Sequence, residues 1–241
     1  MKTCLALAAA VAVVGSASSA RAWGWWNLSA GAKGIVGANV WTQPTNVPFT
    51  EDLMFAKARA GYGGGAGIFV QARFVKYIAI EMDALFETGQ LSEKQTIYVS
   101  GMTALEYRNT ATTVNARIPI IVKGVLPLPG MQLSLGLGPE FVVPLKTTAS
   151  TTTLSGFGKG PAFTARGKTS TMLTMELGIT PVLPLGFVIP IGLRASYNAT
   201  QPQRWANRVD ATMVGNNVIA YNVKNQNSWD FRLAIGLGYE F

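Results

Sequence analysis

Eight stretches of this 241-residue chain carry apolar side chains at every second position, and every charged residue within them sits on the opposite parity. In a strand, successive side chains leave on opposite faces, so each stretch presents one greasy side and one polar side. YIAIEMDALFE sets Ile78, Ile80, Met82, Ala84 and Phe86 against Glu81, Asp83 and Glu87. FVIPIGLRASYN sets Phe187, Ile189, Ile191, Leu193, Ala195 and Tyr197 against Arg194. The same sorting runs through NLSAGAKGIVGANVW, GGGAGIFVQARFV, TVNARIPIIVKG, MQLSLGLGPEFVV, STMLTMELGITPVL and the closing WDFRLAIGLGYEF. An Arg or Lys on the lipid side of a membrane strand costs about 2–4 kcal/mol at mid-depth, so a misplaced register would expose itself as a charge on the wrong face.

The alternation selects one architecture. Charged residues are 13% of the chain against a usual ~25%, and hydrophobic residues are 49%, yet no segment after the first apolar run approaches the roughly 18 apolar residues of a spanning helix. A closed β-barrel pairs every backbone N–H and C=O between strands and crosses lipid with half-hydrophobic segments. Short connections at 75–77, 125–130 and 183–186 alternate with long polar ones at 42–60, 88–111, 146–169 and 199–228. The expected fold is therefore all-β: an eight-stranded antiparallel transmembrane up-and-down barrel with tight turns in the periplasm and long loops outside. The closing LAIGLGYEF, alternating to its last residue, reads as a strand tied into that sheet.

The beginning of the chain reads as a secretory signal. Lys2 precedes an apolar run from Leu5 to Val14, and Ala20, Arg21 and Ala22 offer a small-x-small cleavage site. This divides the chain into a signal at 1–22 and a barrel domain at 23–241, with a cut after Ala20 as the alternative. Cys4, the one cysteine, leaves with the signal, and the remainder has none for a disulfide or thiolate site.

Polar-face charges converge in a barrel lumen. Lys33, Arg73, Glu81, Asp83, Glu87, Arg117, Lys123, Glu140, Glu176, Arg194, Asp230, Arg232 and Glu240 comprise six bases and seven acids. Eight strands leave room for side chains and little else, so an ion-paired lumen network is expected. Removing Lys2 and Arg21 takes the formal charge from +8 to +6, and the long loops hold most of the excess. Lys57, Arg59, Lys94, Arg108, Lys146, Lys159, Arg166, Lys168, Arg204, Arg208 and Lys224 form a basic rim suited to phosphorylated outer-membrane lipid, lipopolysaccharide included. Trp25, Trp26, Tyr77, Phe187, Tyr239 and Phe241 mark one interface, and Trp41, Phe86, Phe141, Tyr197 and Trp229 the other. Pro119 and Pro190 cannot donate to a ladder, so bulges or strand ends are expected at both.

Catalytic chemistry is sparse. Without a histidine, Ser-His-Asp and HExxH arrangements are impossible. GYGGGA at 61–66 matches a dinucleotide glycine pattern but opens a strand, and ARGKTS at 165–170 lacks the earlier P-loop glycine, Ala162 standing there. Glu81 and Asp83 share a face and could serve metal or glycoside chemistry, although nearby Arg73 and Arg117 favour a structural network. No catalytic residue, cofactor or metal is expected.

GYGGGAGIFVQARF, YIAIEMDALFETG, VNARIPIIVKG, LGLGPEF and LAIGLGYEF, in that order, resemble the small outer-membrane β-barrel proteins of the PorT-like family, whose eight-stranded architecture OmpA and OmpX barrels share. The resemblance implies the bacterial cell outer membrane, and recognition of Leu237, Tyr239 and Phe241 by the barrel assembly machinery. The expected role is non-enzymatic, in envelope structure, surface contact or assembly, by a monomer that does not bind nucleic acid. The alternatives are a narrow pore or conduit for small apolar molecules, and a soluble ligand-binding barrel with its faces inverted.

Overall fold

The computed structural model describes residues 26–41, 46–47, 54–56, 60–99, 102–156, 163–167, 169–199, 205–209, 212–214, 217–219, 222–223 and 228–241. The signal reading, its cleavage site and Trp25 lie outside them. Eight strands form the ring: β1 Trp26–Trp41, β2 Ala60–Phe74, β3 Ile78–Val99, β4 Met102–Leu128, β5 Met131–Gly156, β6 Ser170–Pro181, β7 in two pieces (Phe187–Val188 and Ile191–Asn198), and β8 Ser228–Glu240. Each is antiparallel to its sequence neighbour, and β1 pairs with β8 to close the cylinder.

The ladder fixes the geometry of the ring. Leu28 pairs with Ala72, then Ile80, Val122, Leu137, Met175, Ala195 and Phe231, and the circuit returns to β1 at Ala38, ten positions beyond Leu28 (38 − 28). With about 3.3 Å per residue along a strand and about 4.8 Å between strands, that offset tilts the strands about 40° from the barrel axis. Residues at one height then slip by about 1.25 positions per strand.

The outer face is apolar across a bounded band. On β4, Leu126, Val122 and Ile118 are exposed and Ile120, Ala116 and Val114 half-exposed, before Thr112, Thr110 and Arg108 take over. At the observed tilt the span from Leu126 to Val114 covers about 30 Å, the thickness of a hydrocarbon core. Leu135 is 68% exposed, Leu177 61% and Leu193 59%, a surface that only lipid solvates well. A soluble ligand-binding barrel would carry these faces reversed.

Two features depart from the sequence reading. The segments 88–111 and 146–169, expected as long loops, are in good part strand: Thr88 to Val99 pairs with Val114 back to Met102, and β5 runs on to Gly156. Lys94 and Arg108 therefore lie in paired strands, and Lys94 bridges Glu106 at 3.0 Å. Threonines, Ile97, Tyr98 and Val99 supply β-propensity there without an apolar face, so an alternation test tuned to lipid passes over them. Pro119 marks neither a bulge nor a strand end: the register is the same on both sides of it (Met82↔Ile120 and Leu85↔Arg117), and the ladder simply skips the positions between. The bulge lies instead at Val114/Asn115 opposite Pro144. At Pro190 the expected strand end is found, between Val188 and Ile191; Phe187↔Tyr239 and Ile191↔Ile235 keep one register across it, and the Pro190 carbonyl still accepts from Gly236 N at 2.8 Å.

The tight connections use turn chemistry. Pro129 and Gly130 join Leu128 to Met131, with Gly130 at φ +75° as a Pro-Gly turn requires. Val75 and Lys76 both take positive φ between β2 and β3, a costly conformation for a β-branched residue. Phe187, Tyr239 and Phe241 make edge-on ring contacts at the short-turn end, and Tyr197, Trp229 and Phe231 cluster towards the other. Of the basic rim, Lys57, Arg59, Lys159, Lys168, Arg204 and Lys224 lie outside the described residues. Arg166 and Arg208 occupy a small sheet of Phe163–Gly167 with Trp205–Val209.

Candidate functional site: the ionic lumen

Seven of the eight strands send a charged side chain into the cylinder, and the eighth, β2, contributes Arg73 at its mouth. The group nearer the short turns contains Lys33, Glu81, Asp83, Lys123, Glu176 and Arg194. Lys33 Nζ donates to Glu81 Oε1 at 2.6 Å and to Asp83 Oδ1 at 3.1 Å. Lys123 Nζ donates to Glu81 Oε2 at 2.7 Å and Glu176 Oε1 at 2.5 Å. Arg194 bridges Glu81 at 2.9 Å, Asp83 at 2.7 Å and Glu176 at 2.5 Å through three different nitrogens. Three cations meet three carboxylates, so this tier is balanced. The Glu81–Asp83 pair considered for metal or glycoside chemistry is held by Lys33, Lys123 and Arg194.

The second tier is built on Arg117, which is 1% exposed. Its Nη1 reaches Glu87 Oε2 at 2.6 Å, its Nε Glu140 Oε1 at 2.5 Å and its Nη2 Asp230 Oδ2 at 2.9 Å. Arg232 Nη2 donates to Glu87 Oε1 and Asn39 Oδ1, both at 2.6 Å, and its Nη1 to the Ala38 carbonyl at 3.0 Å. Glu140 Oε2 also accepts from Thr174 at 2.6 Å and Ser196 at 2.9 Å. Two arginines here face three carboxylates. Arg73, which the sequence placed in the lumen network, stands apart at the short-turn mouth, bridging Glu240 Oε1 at 2.6 Å, an oxygen that also accepts from Asn27.

Strand tilt explains these partners. Lys33 lies in register with Gly67 and, through it, with Leu85, yet it binds Glu81 and Asp83. Two strands away, constant height slips by about 2.5 residues, which carries the level from Leu85 back towards Asp83. The same slip over four strands brings Asp230 and Arg232 to the level of Arg117.

Room for so many long side chains comes from inward glycines and a few buried apolar residues. A Cβ on Gly63 would stand 2.5 Å from Glu87 Oε1 and one on Gly192 3.1 Å from the Glu176 carboxylate, while one on Gly37 would first meet the Phe231 backbone carbonyl. Ile35, Phe69, Leu85 and Ile121 are buried among the ions, with Lys33 Nζ 4.8 Å from the centre of the Phe69 ring. Sequence reading assigned neither set a role. The signal was present in GYGGGAGIF, where Gly63, Gly65, Gly67 and Phe69 share the inward parity. Dense multidentate pairing of this kind crosses the lumen from wall to wall, while its net worth to stability is reduced by desolvation of every ion.

No family model and no curated protein matches the chain, so the PorT-like resemblance stands on the motifs quoted for it. Among solved structures, the outer membrane protein OprG from Pseudomonas aeruginosa is similar over 90% of this chain and 95% of its own, at 12% identity and a TM-score of 0.40. The outer membrane protease OmpT from Escherichia coli is similar over 90% of this chain and 97% of its own, at 8% identity and 0.42. Neisserial surface protein A is similar over 90% and 97%, at 14% identity and 0.33. The barrel assignment itself rests on the closed ladder and the sidedness of its faces.

Proposed function

We propose that this chain is a non-enzymatic integral barrel of a bacterial outer membrane, closed to solutes, whose role in envelope structure, assembly or surface contact is carried outside the lipid band. The observation behind this reading is the pairing of an apolar exterior with a lumen crossed by two tiers of buried ion pairs. A plugged cylinder does not conduct, and what remains for interaction is the projecting sheet of β3, β4 and β5, with Lys146 exposed near its base. Basic residues at that level suit phosphorylated lipid, lipopolysaccharide included. The alternating Leu237 and Tyr239 on the last strand, with Phe241 just after it and its N–H donating to the Leu28 carbonyl at 2.8 Å, suit recognition by the barrel assembly machinery.

Planar-bilayer recording on the folded, detergent-purified chain tests the reading. The expected result is no reproducible conductance step, and regular single-channel steps would overturn the sealed-lumen assignment in favour of a pore. Membrane fractionation supplies the second test: the protein should resist carbonate and leave the membrane only with detergent.

A further inference from the structure

At the short-turn mouth the ionic packing gives way to a cavity of about 370 Å³. Trp26, Leu128 and Met131 give it an apolar wall, and Arg73, Lys76, Gln132 and Glu240 line the rest. The ion tiers lie deeper in the cylinder, and none of their side chains lines the cavity.

Two side chains in the cup have unspent hydrogen-bonding capacity. Arg73 is committed to Glu240. Lys76 has no ion-pair or hydrogen-bond partner among the described residues, and the positive-φ turn of Val75 and Lys76 fixes its backbone at the rim. Gln132 is only 8% exposed, and its amide too has no hydrogen-bond partner among the described residues. The amide's polar atoms open onto the cavity and are not among the buried unpaired groups, so its N–H and C=O are available to a ligand's polar group. The lining holds two cations and one carboxylate, which favours negative charge. The volume suits a small molecule and is too small for a diacyl lipid.

We propose that this cup binds a small organic anion, a carboxylate carried on a short alkyl stem, with the carboxylate at Lys76 and Gln132 and the stem on Trp26, Leu128 and Met131. Hydrogen bonds to a charged group are the stronger kind, and Gln132 supplies an amide N–H beside the ammonium. The apolar wall selects for a stem over a bare inorganic anion.

Calorimetric titration of the folded full-length chain in uncharged maltoside micelles tests this with hexanoate, hexanol and hexylammonium. Hexanoate should bind at least about tenfold more tightly than either analogue, a difference that charge-assisted hydrogen bonding supplies. Lys76→Glu should abolish that preference, and Gln132→Leu should weaken hexanoate several-fold. Lys76 is an exposed turn residue, so its variant keeps the test valid even if Gln132→Leu fails to fold. Equal binding of all three probes, or unchanged hexanoate affinity in Lys76→Glu, overturns the proposal. Stronger binding to phosphatidylglycerol vesicles than to hexanoate would overturn it in favour of a lipid headgroup.

Discussion

Replacing Arg117 with alanine removes the cation that three carboxylates share. In the native lumen its guanidinium holds Glu140 at 2.5 Å, Glu87 at 2.6 Å and Asp230 at 2.9 Å, all nearly inaccessible to solvent. Arg232 remains within 2.6 Å of Glu87 and 3.6 Å of Asp230, so those two retain a cation. Glu140 keeps only the hydroxyls of Thr174 and Ser196. Breaking one buried pair by removing a partner costs about 3–5 kcal/mol. With one carboxylate left without an ion-pair partner and two half-compensated, the upper part of that range is expected. Asp230→Asn should cost clearly less, because it leaves two arginines facing two carboxylates, whereas Glu81→Gln takes a carboxylate from a balanced tier and should fall between them. Urea unfolding in micelles, followed by tryptophan fluorescence and by heat-modifiable gel mobility, measures all three at constant pH. An Arg117→Ala barrel within about 1 kcal/mol of the parent, against the 3–5 expected of a buried pair, would refute the reasoning. So would an Asp230→Asn barrel less stable than Arg117→Ala.

Three further outcomes follow from the same structure. Gly63→Ala should lose about 1–3 kcal/mol in the same unfolding assay, because its methyl displaces the Glu87 carboxylate, whereas outward-facing Gly64→Ala, whose nearest contact would be the Ile35 carbonyl at 3.4 Å, should be near neutral. Leu135→Arg should cost about 2–4 kcal/mol in a bilayer, and spin labels at Ile80, Leu135 and Leu193 should meet lipid-dissolved oxygen; labels reporting a dry protein interior would invert the barrel's sidedness. Phe241→Ser should reduce the folded, heat-modifiable fraction recovered from membranes, and normal assembly would remove the C-terminal signal from the account.

Much of the barrel was legible because lipid enforces a strict rule on single strands. Ile78 to Phe86 and Phe187 to Tyr197 could be sorted by parity alone, since a charge facing acyl chains is costly wherever the strand sits in the ring. The projecting parts of β3, β4 and β5 were not legible, because water tolerates either face and those residues are held by their ladder. Proline gave a partial signal: its missing N–H foretold a disturbance at Pro190, but at Pro119 the fixed register of both neighbours carried the ladder across the gap.

Sequence by itself determined which side chains face in and which face out, because period two is a property of the extended backbone and needs no partner. It could not determine who meets whom inside. That Arg117 finds Asp230, 113 positions away, depends on the ten-residue offset at closure. The offset is a property of the whole ring, set only when β8 docks on β1, and it decides both the two ion tiers that cross the lumen and the cup at its mouth.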